Sequence, residues 1–321
     1  MTGVGPFKGI DKCGERFVRT DEIKILKKFV ENSLLTYICR ASNMDSLITD
    51  HVWQVKRIKQ VGSITTEEFA GGGEYAYSCE SKSVRDALFP SPEFENEFSL
   101  AFDGVDEYLN GGDIFQFDIA TAFTISMWVK PQNLASSRIL FSKAGSGPTV
   151  RGYMLSHNAT SGDLFLRMRT GITNRTHAFD VSLTSGIWQH VVFSYSGNSN
   201  ISGASAYVNA TKNTSTPSGS LTGSLLEGQD FYVGQRSGSF YFSGNIDSMT
   251  VWNKELSQSE VTELYNGGSP LDPTSHSAYA NLISSYKMGD GDSFPTIFDN
   301  ESTNDLTMVN MESSDITADV P

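Results

Sequence analysis

Ten short runs of β-branched and aromatic residues follow one another between Phe98 and Trp252, with Gly, Ser and Asn in the turns between them. They span Phe98–Phe102, Thr124–Lys130, Ile139–Lys143, Tyr153–Ser156, Leu164–Arg169, His177–Val181, His190–Tyr195, Ala204–Val208, Asp230–Gln235 and Gly244–Trp252. Strands of this length and spacing bury their apolar residues by closing two antiparallel sheets on each other, so the expected fold class is an all-β sandwich. One helix interrupts the pattern over about 258–266. Ser257-Gln-Ser-Glu260 is a capping box, Leu256 and Val261 form a hydrophobic staple around it, and Gly267 can take the left-handed stop.

Before the sandwich, residues 1–90 mix a helical candidate at Asp21–Val30 with strands expected at Leu35–Cys39, His51–Lys59, Ser63–Phe69 and Glu74–Ser78, a small β-rich (α+β) module. Pro90-Ser-Pro92 interrupts helix and ladder alike and sets the boundary. The expected organisation is a 1–90 docking and assembly module, a 91–272 sandwich and an acidic 273–321 segment that returns to complete the sandwich.

Charge narrows the partners. Residues 1–90 hold 13 of the 24 Lys and Arg and 12 of the 37 Asp and Glu, leaving 11 and 25 for the remainder, a net of −14 there. A surface that acidic repels phosphate backbones and anionic membranes, so neither nucleic acid binding nor membrane insertion is expected. Cys13, Cys39 and Cys79 are odd in number and widely spaced, which fits synthesis in a reducing compartment. No basic and apolar leader follows Met1, so no signal peptide is expected.

Three stretches carry a family resemblance: Phe98-Ser-Leu-Ala-Phe-Asp-Gly-Val-Asp-Glu-Tyr-Leu109, Phe123-Thr-Ile-Ser-Met-Trp-Val-Lys-Pro131, and Phe242-Ser-Gly-Asn-Ile-Asp-Ser-Met-Thr-Val-Trp-Asn253 with the capped helix behind it. With Gly186–Phe193 and Phe231–Gln235 in order between them, they resemble the laminin G-like jelly rolls of the concanavalin A-like lectin superfamily, relatives of the pentraxins. Trp128, Trp188 and Trp252 are assigned to the core, Trp128 as an inward ring. The N-terminal Tyr37-Ile-Cys-Arg-Ala41, His51–Ile58 and Ala70–Gly73 resemble a segment of tailed-bacteriophage tail and neck proteins, as does the ending Met311–Pro321. That resemblance implies a non-enzymatic structural component located in the virion. Its implied partners are other virion proteins, further copies of itself and a host-surface glycan. The alternatives are a stand-alone lectin module and a glycoside hydrolase.

Site candidates follow from chemistry. Aromatic faces and guanidinium forks suit sugars and acidic sugars, which singles out Arg151, Tyr153, Arg236 and Tyr241 in strand-end loops. The loops that hold two calcium ions in pentraxins, Lys143–Val150 and Gly234–Phe240, contain no acid here. The resemblance instead implies a structural Ca2+ at Asp103, Asp106 and Asp247; the competing role for those residues is turn capping. Glu93, Glu95 and Glu97 alternate as a hydrolase pair would, but next to the proline boundary they suit a solvated edge. No HExxH, P-loop, GxSxG or dinucleotide fingerprint occurs.

Overall fold

The structure, a computed structural model, describes residues 15–17, 52–54, 76–80, 96–145, 150–159, 161–226 and 228–321. Two compact units divide between Glu93 and Phe94. In the first, β1 (Glu15–Phe17), β2 (Val52–Gln54) and β3 (Ala76–Glu80) form an antiparallel sheet in the order β1-β3-β2. β2 falls within the strand expected at 51–59, β3 overlaps the one expected at 74–78 and ends two residues later, and β1 was not anticipated. The helical candidate at 21–30 and the strands expected at 35–39 and 63–69 lie outside the described residues.

The second unit opens with β4 (Ser99–Asp103), β5 (Tyr108–Asn110), β6 (Phe123–Pro131), β7 (Arg138–Ala144), β8 (Arg151–His157) and β9 (Asp163–Thr170). It continues with β10 (Asn174–Ser182), β11 (Gln189–Tyr195), β12 (Ala204–Val208), β13 (Thr211–Lys212), β14 (Tyr232–Val233) and β15 (Ser243–Trp252). After the helix α1 (Gln258–Tyr265) come β16 (Leu282–Tyr286), β17 (Thr296–Ile297), β18 (Leu306–Val309) and β19 (Ile316–Thr317).

These strands make two antiparallel sheets of eight. The front sheet runs β10-β9-β8-β7-β14-β5-β18-β17; the back sheet runs β13-β12-β11-β6-β15-β4-β19, with β16 also on β15. Period-two alternation drives the closure. In β9 Leu164, Leu166 and Met168 turn inward and are fully buried, while Phe165, Arg167 and Arg169 turn outward. Between the sheets lies an aromatic core in which Phe117 and Phe123 stack 4.4 Å apart and Phe115 meets Phe231 edge-on at 4.9 Å. Each such buried ring contributes about 1.5–3 kcal/mol.

α1 covers the outer face of the back sheet. Its capping box forms as expected, the Ser257 hydroxyl accepting from the Glu260 backbone N–H and the Glu260 carboxylate accepting from Ser257 N–H. The left-handed stop begins one residue earlier than expected, at Asn266 (φ 49°), because asparagine tolerates this conformation; Gly267 (φ 69°) prolongs it. Val261 and Leu264 pack with Leu256, Val192 and Trp252 in a second apolar cluster.

That cluster changes the expected place of the tryptophans. Met127 and Val129 face the inter-sheet core, so the pleat turns Trp128 to the other side, where Tyr265 of α1 stacks on it at 5.8 Å. Trp128 is therefore buried but outward. Trp188 is only half-buried, and its indole N–H donates to Asp319 Oδ1 at 3.0 Å.

The C-terminal residues contribute to both sheets. β16 pairs β15, β18 pairs β5, and β19 pairs β4. Ile297, Leu306 and Met308 enter the inter-sheet core. Asp319 then anchors the end of the chain through a 2.7 Å ion pair with Lys130.

Candidate functional site

The pairing registers place one row of side chains straight across the outer face of the front sheet: Thr307, Asn110, Tyr232, Ser142, Met154, Arg167 and Thr176. Directly opposed residues share a face, so this row is the midline of the sheet's outward surface. Two features flank it.

At the β5–β14 end are three tyrosines. Tyr108 meets Tyr232 edge-on at 5.7 Å and lies 6.3 Å from Tyr241, and all three are half-buried. Burial raises the phenol pKa values of Tyr108 and Tyr232, with neighbouring phenol groups and Asp230 adding to the effect, so both remain protonated hydrogen-bonding groups at neutral pH.

Toward β9 lies a groove of about 280 Å³. Met154, Ile139 and Phe165 supply its apolar floor, Arg167 and Arg236 its guanidinium groups, and Phe240 one wall. The loop carrying Arg236 is fastened to the sheet. Ser142 Oγ donates to Gln235 O at 2.7 Å, Ile139 N donates to Phe240 O at 3.0 Å, and Arg236 and Ser239 close a small bridge. Residues Ser237, Gly238 and Phe240 all have positive φ, which lets the loop fold back tightly enough to lay the Arg236 guanidinium 5.2 Å from the centre of the Phe240 ring.

The groove concentrates positive charge. Burial first, then the charges of Arg169 and Arg236, lower the Arg167 pKa, and burial followed by Arg169 lowers that of Arg236. Guanidinium groups stay protonated despite such shifts. The Nε atoms of Arg167 and Arg236 are out of solvent and have no hydrogen-bond partner among the described residues. Among the described residues neither arginine forms an ion pair.

The sequence candidates fall in different places. Arg236 lines the groove and Tyr241 belongs to the tyrosine cluster of the same face. Arg151 opens β8 and is half-buried. Tyr153 is a correction: it faces the inter-sheet core at 1% exposure and its hydroxyl donates to Phe115 O, so a ligand cannot reach it. Arg167, Met154, Phe165, Tyr108 and Tyr232 were missed. The alternation Leu164-Phe-Leu-Arg-Met-Arg169 marks Arg167 and Arg169 as outward neighbours and could have found them.

Asp103, Asp106 and Asp247 do not converge. Asp103 is opposite Ser243, and Asp247 lies four residues farther along β15, about 13 Å away at strand rise. The Asp103 carboxylate caps its turn by accepting from Val105 N–H at 2.7 Å. Asp247 is fully buried and accepts from Asn96 Nδ2 at 3.0 Å and Ser248 Oγ at 3.1 Å. Burial, assisted by the charge of Asp290, pushes its pKa up to about 7. Among the described residues no three His, Cys, Asp or Glu side chains are grouped to hold a metal ion.

A groove of about 410 Å³ at the end of β4 brings Asp103, Glu107 and Asp315 near Lys130 and Asn245. Burial raises Glu107 to about 7, and the charges of Asp315, Asp103 and Asp106 add to it against a hydrogen bond from Asp103 N–H. On the back sheet Ser126 Oγ and His190 Nε2 are 2.7 Å apart, a spacing that would suit a nucleophile and its base. The pair is buried beneath Tyr265, His190 Nδ1 has no orienting partner among the described residues, and burial pulls the imidazole pKa down to about 3. Of the Glu93, Glu95 and Glu97 set, only Glu97 is among the described residues, exposed at the start of the sandwich.

Residues 103–262 match the family model Laminin_G_3, described as the Concanavalin A-like lectin/glucanases superfamily. The sandwich is a concanavalin A-like jelly roll. Solved structures share this fold at low identity. The jelly roll resembles a candidate carbohydrate binding protein from Bacteroides ovatus ATCC 8483 (16% identity, TM-score 0.50, covering 76% of this chain and 63% of that one). It also resembles the heptameric SAP-like pentraxin of Limulus polyphemus (15% identity, TM-score 0.44, covering 66% and 94%). A third similar structure is the Ruminococcus gnavus IT-sialidase CBM40 bound to alpha2,3 sialyllactose (16% identity, TM-score 0.38, covering 53% and 99%). No curated protein matches the sequence. Among the described residues no helix of the jelly roll or the N-terminal unit is long and apolar enough to cross a membrane.

Proposed function

We propose that the protein is a non-catalytic carbohydrate-binding protein whose jelly roll takes glycan on the outer face of its front sheet. The observation that carries this reading is the shared face of Tyr108, Tyr232, Tyr241 and Phe240 with Arg167 and Arg236, beside an apolar groove. Sugars present C–H patches that pack on rings and hydroxyl groups that bond to fixed donors, so a few polar groups on an apolar floor suit them. The fold leaves this role open without specifying it.

A glycan array probed with the full chain tests the proposal. Retention on defined glycans, lost in Tyr241→Ala and with the eluted glycans unchanged in mass, is the expected result. Undiminished binding by Tyr241→Ala and Phe240→Ala together would place the site elsewhere, and shortened glycans would make the protein a hydrolase.

The N-terminal motifs favour a second, compatible reading, in which the chain is a structural component of a tailed-phage virion. Residues 1–90 would then dock to the particle, and the jelly roll would face outward to contact neighbouring copies or host glycan. Near-neutral charge in 1–90 against −14 beyond it supports a division of labour between the two parts. Mass spectrometry of purified particles should find the chain together with capsid and tail proteins; a chain recovered only from the particle-free fraction contradicts this assignment.

A further inference from the structure

We propose that the saccharide taken by this face is an acidic one, its carboxylate held between Arg167 and Arg236. The inference rests on the carbohydrate-binding reading and adds the ligand's charge.

Residues 91–321 carry 25 acidic and 11 Lys and Arg side chains, yet Arg167 and Arg236 gather on one groove without an ion-pair partner among the described residues. Arg169, two residues from Arg167 on the same face of β9, adds a third positive charge. In a chain so rich in carboxylates, a surface arginine is readily neutralised. The guanidinium groups of Arg167 and Arg236, brought together on one groove, repel one another, and partial burial strengthens that repulsion. The arrangement becomes favourable when an anion enters.

The hydrogen-bonding pattern points the same way. Both Nε atoms are withdrawn from water and unpartnered among the described residues, while the Arg236 head lies 5.2 Å from the centre of the Phe240 ring and its terminal nitrogen 3.8 Å from the Met154 sulfur. A guanidinium fork held in one plane matches the two oxygens of a carboxylate. A neutral hydroxyl satisfies one donor and leaves the charge uncompensated. The floor of Met154 and Phe165 suits the apolar side of a sugar ring better than a solvated inorganic ion, and the negative remainder of the surface disfavours a phosphate polymer.

Esterification provides the test, because a methyl ester removes the charge and keeps the sugar. Calorimetric titrations of the full chain would compare oligogalacturonate and sialyllactose with their methyl esters, a neutral oligosaccharide panel and a sulfated one. At least one free acid should bind about tenfold or more tighter than its ester. Arg167→Gln and Arg236→Gln should erase that difference, and Arg236→Lys should restore part of it by returning charge without the fork. Added salt should weaken the acid and leave the ester unchanged. Circular dichroism and melting of each variant separate lost binding from lost folding.

Equal binding of acid and ester, binding of neutral glycans alone, or a preference for sulfated chains overturns the acidic-sugar inference and leaves carbohydrate binding standing. Failure of every saccharide to bind overturns both.

Discussion

The Arg236 guanidinium lies 5.2 Å from the centre of the Phe240 ring, and Phe240 remains 48% exposed. An aromatic ring this exposed contributes little to folding, and its exposed surface is available to a ligand. Phe240→Ala should weaken glycan binding by about threefold to tenfold, through loss of ring stacking and of the order imposed on Arg236. Its stability should change by less than about 0.5 kcal/mol, as for most exposed positions. Calorimetry and urea unfolding of the same sample check the two parts; a large stability loss with intact binding contradicts the assignment.

Asp247 makes stability depend on pH. Its folded pKa of about 7 lies above the ordinary carboxylate value because burial disfavours the charge. The sign follows directly: the contribution is fully present below about pH 4 and is lost as pH rises through 7, when the fold must bury an anion. Asp247→Asn keeps an acceptor for Asn96 and never ionises. It should melt close to the wild type at pH 4.5 and above it at pH 8, by an amount on the order of 1–3 kcal/mol. An equal loss of stability at both pH values contradicts this.

Deletion of residues 273–321 removes β16, β17, β18 and β19 together with the core side chains Tyr286, Ile297, Leu306 and Met308. At about 1.5–3 kcal/mol for each buried side chain, the loss is comparable to the net stability of a domain. The truncated chain should be insoluble or expose its core, as read by binding of an apolar dye. A monomer with an unchanged melting temperature would show that the segment is dispensable.

Much of this fold was legible because local signals agreed. The capping box at Ser257 and the alternation in β9 each have a physical meaning that does not depend on tertiary context. β6 and β8 were harder. Phe123-Thr-Ile-Ser-Met-Trp-Val129 is buried on both faces, and only the shared parity of Thr124 and Ser126 with Trp128 reports that its ring leaves the inter-sheet core. In β8 the run Tyr153-Met-Leu155 hides its parity, and a one-residue error exchanges the core ring Tyr153 for the groove residue Met154. Tyr108 and Tyr232 lie on very short strands separated by more than a hundred residues, and only the register that pairs β5 with β14 brings them together. Asp103 and Asp247 illustrate the reverse case, in which motifs on paired strands suggest a shared site while four residues of strand rise keep their carboxylates apart.

Met154 offers the most direct test of the site. Its side chain lines the groove, whereas Met127, Met168 and Met249 are enclosed in the inter-sheet core. Methyl NMR of the full chain, labelled at methionine and titrated with a glycan selected from the array, should shift the Met154 resonance at saturation and leave those three core resonances in place. A binding glycan that moves other methyl groups and leaves Met154 unaffected would contradict recognition at this face.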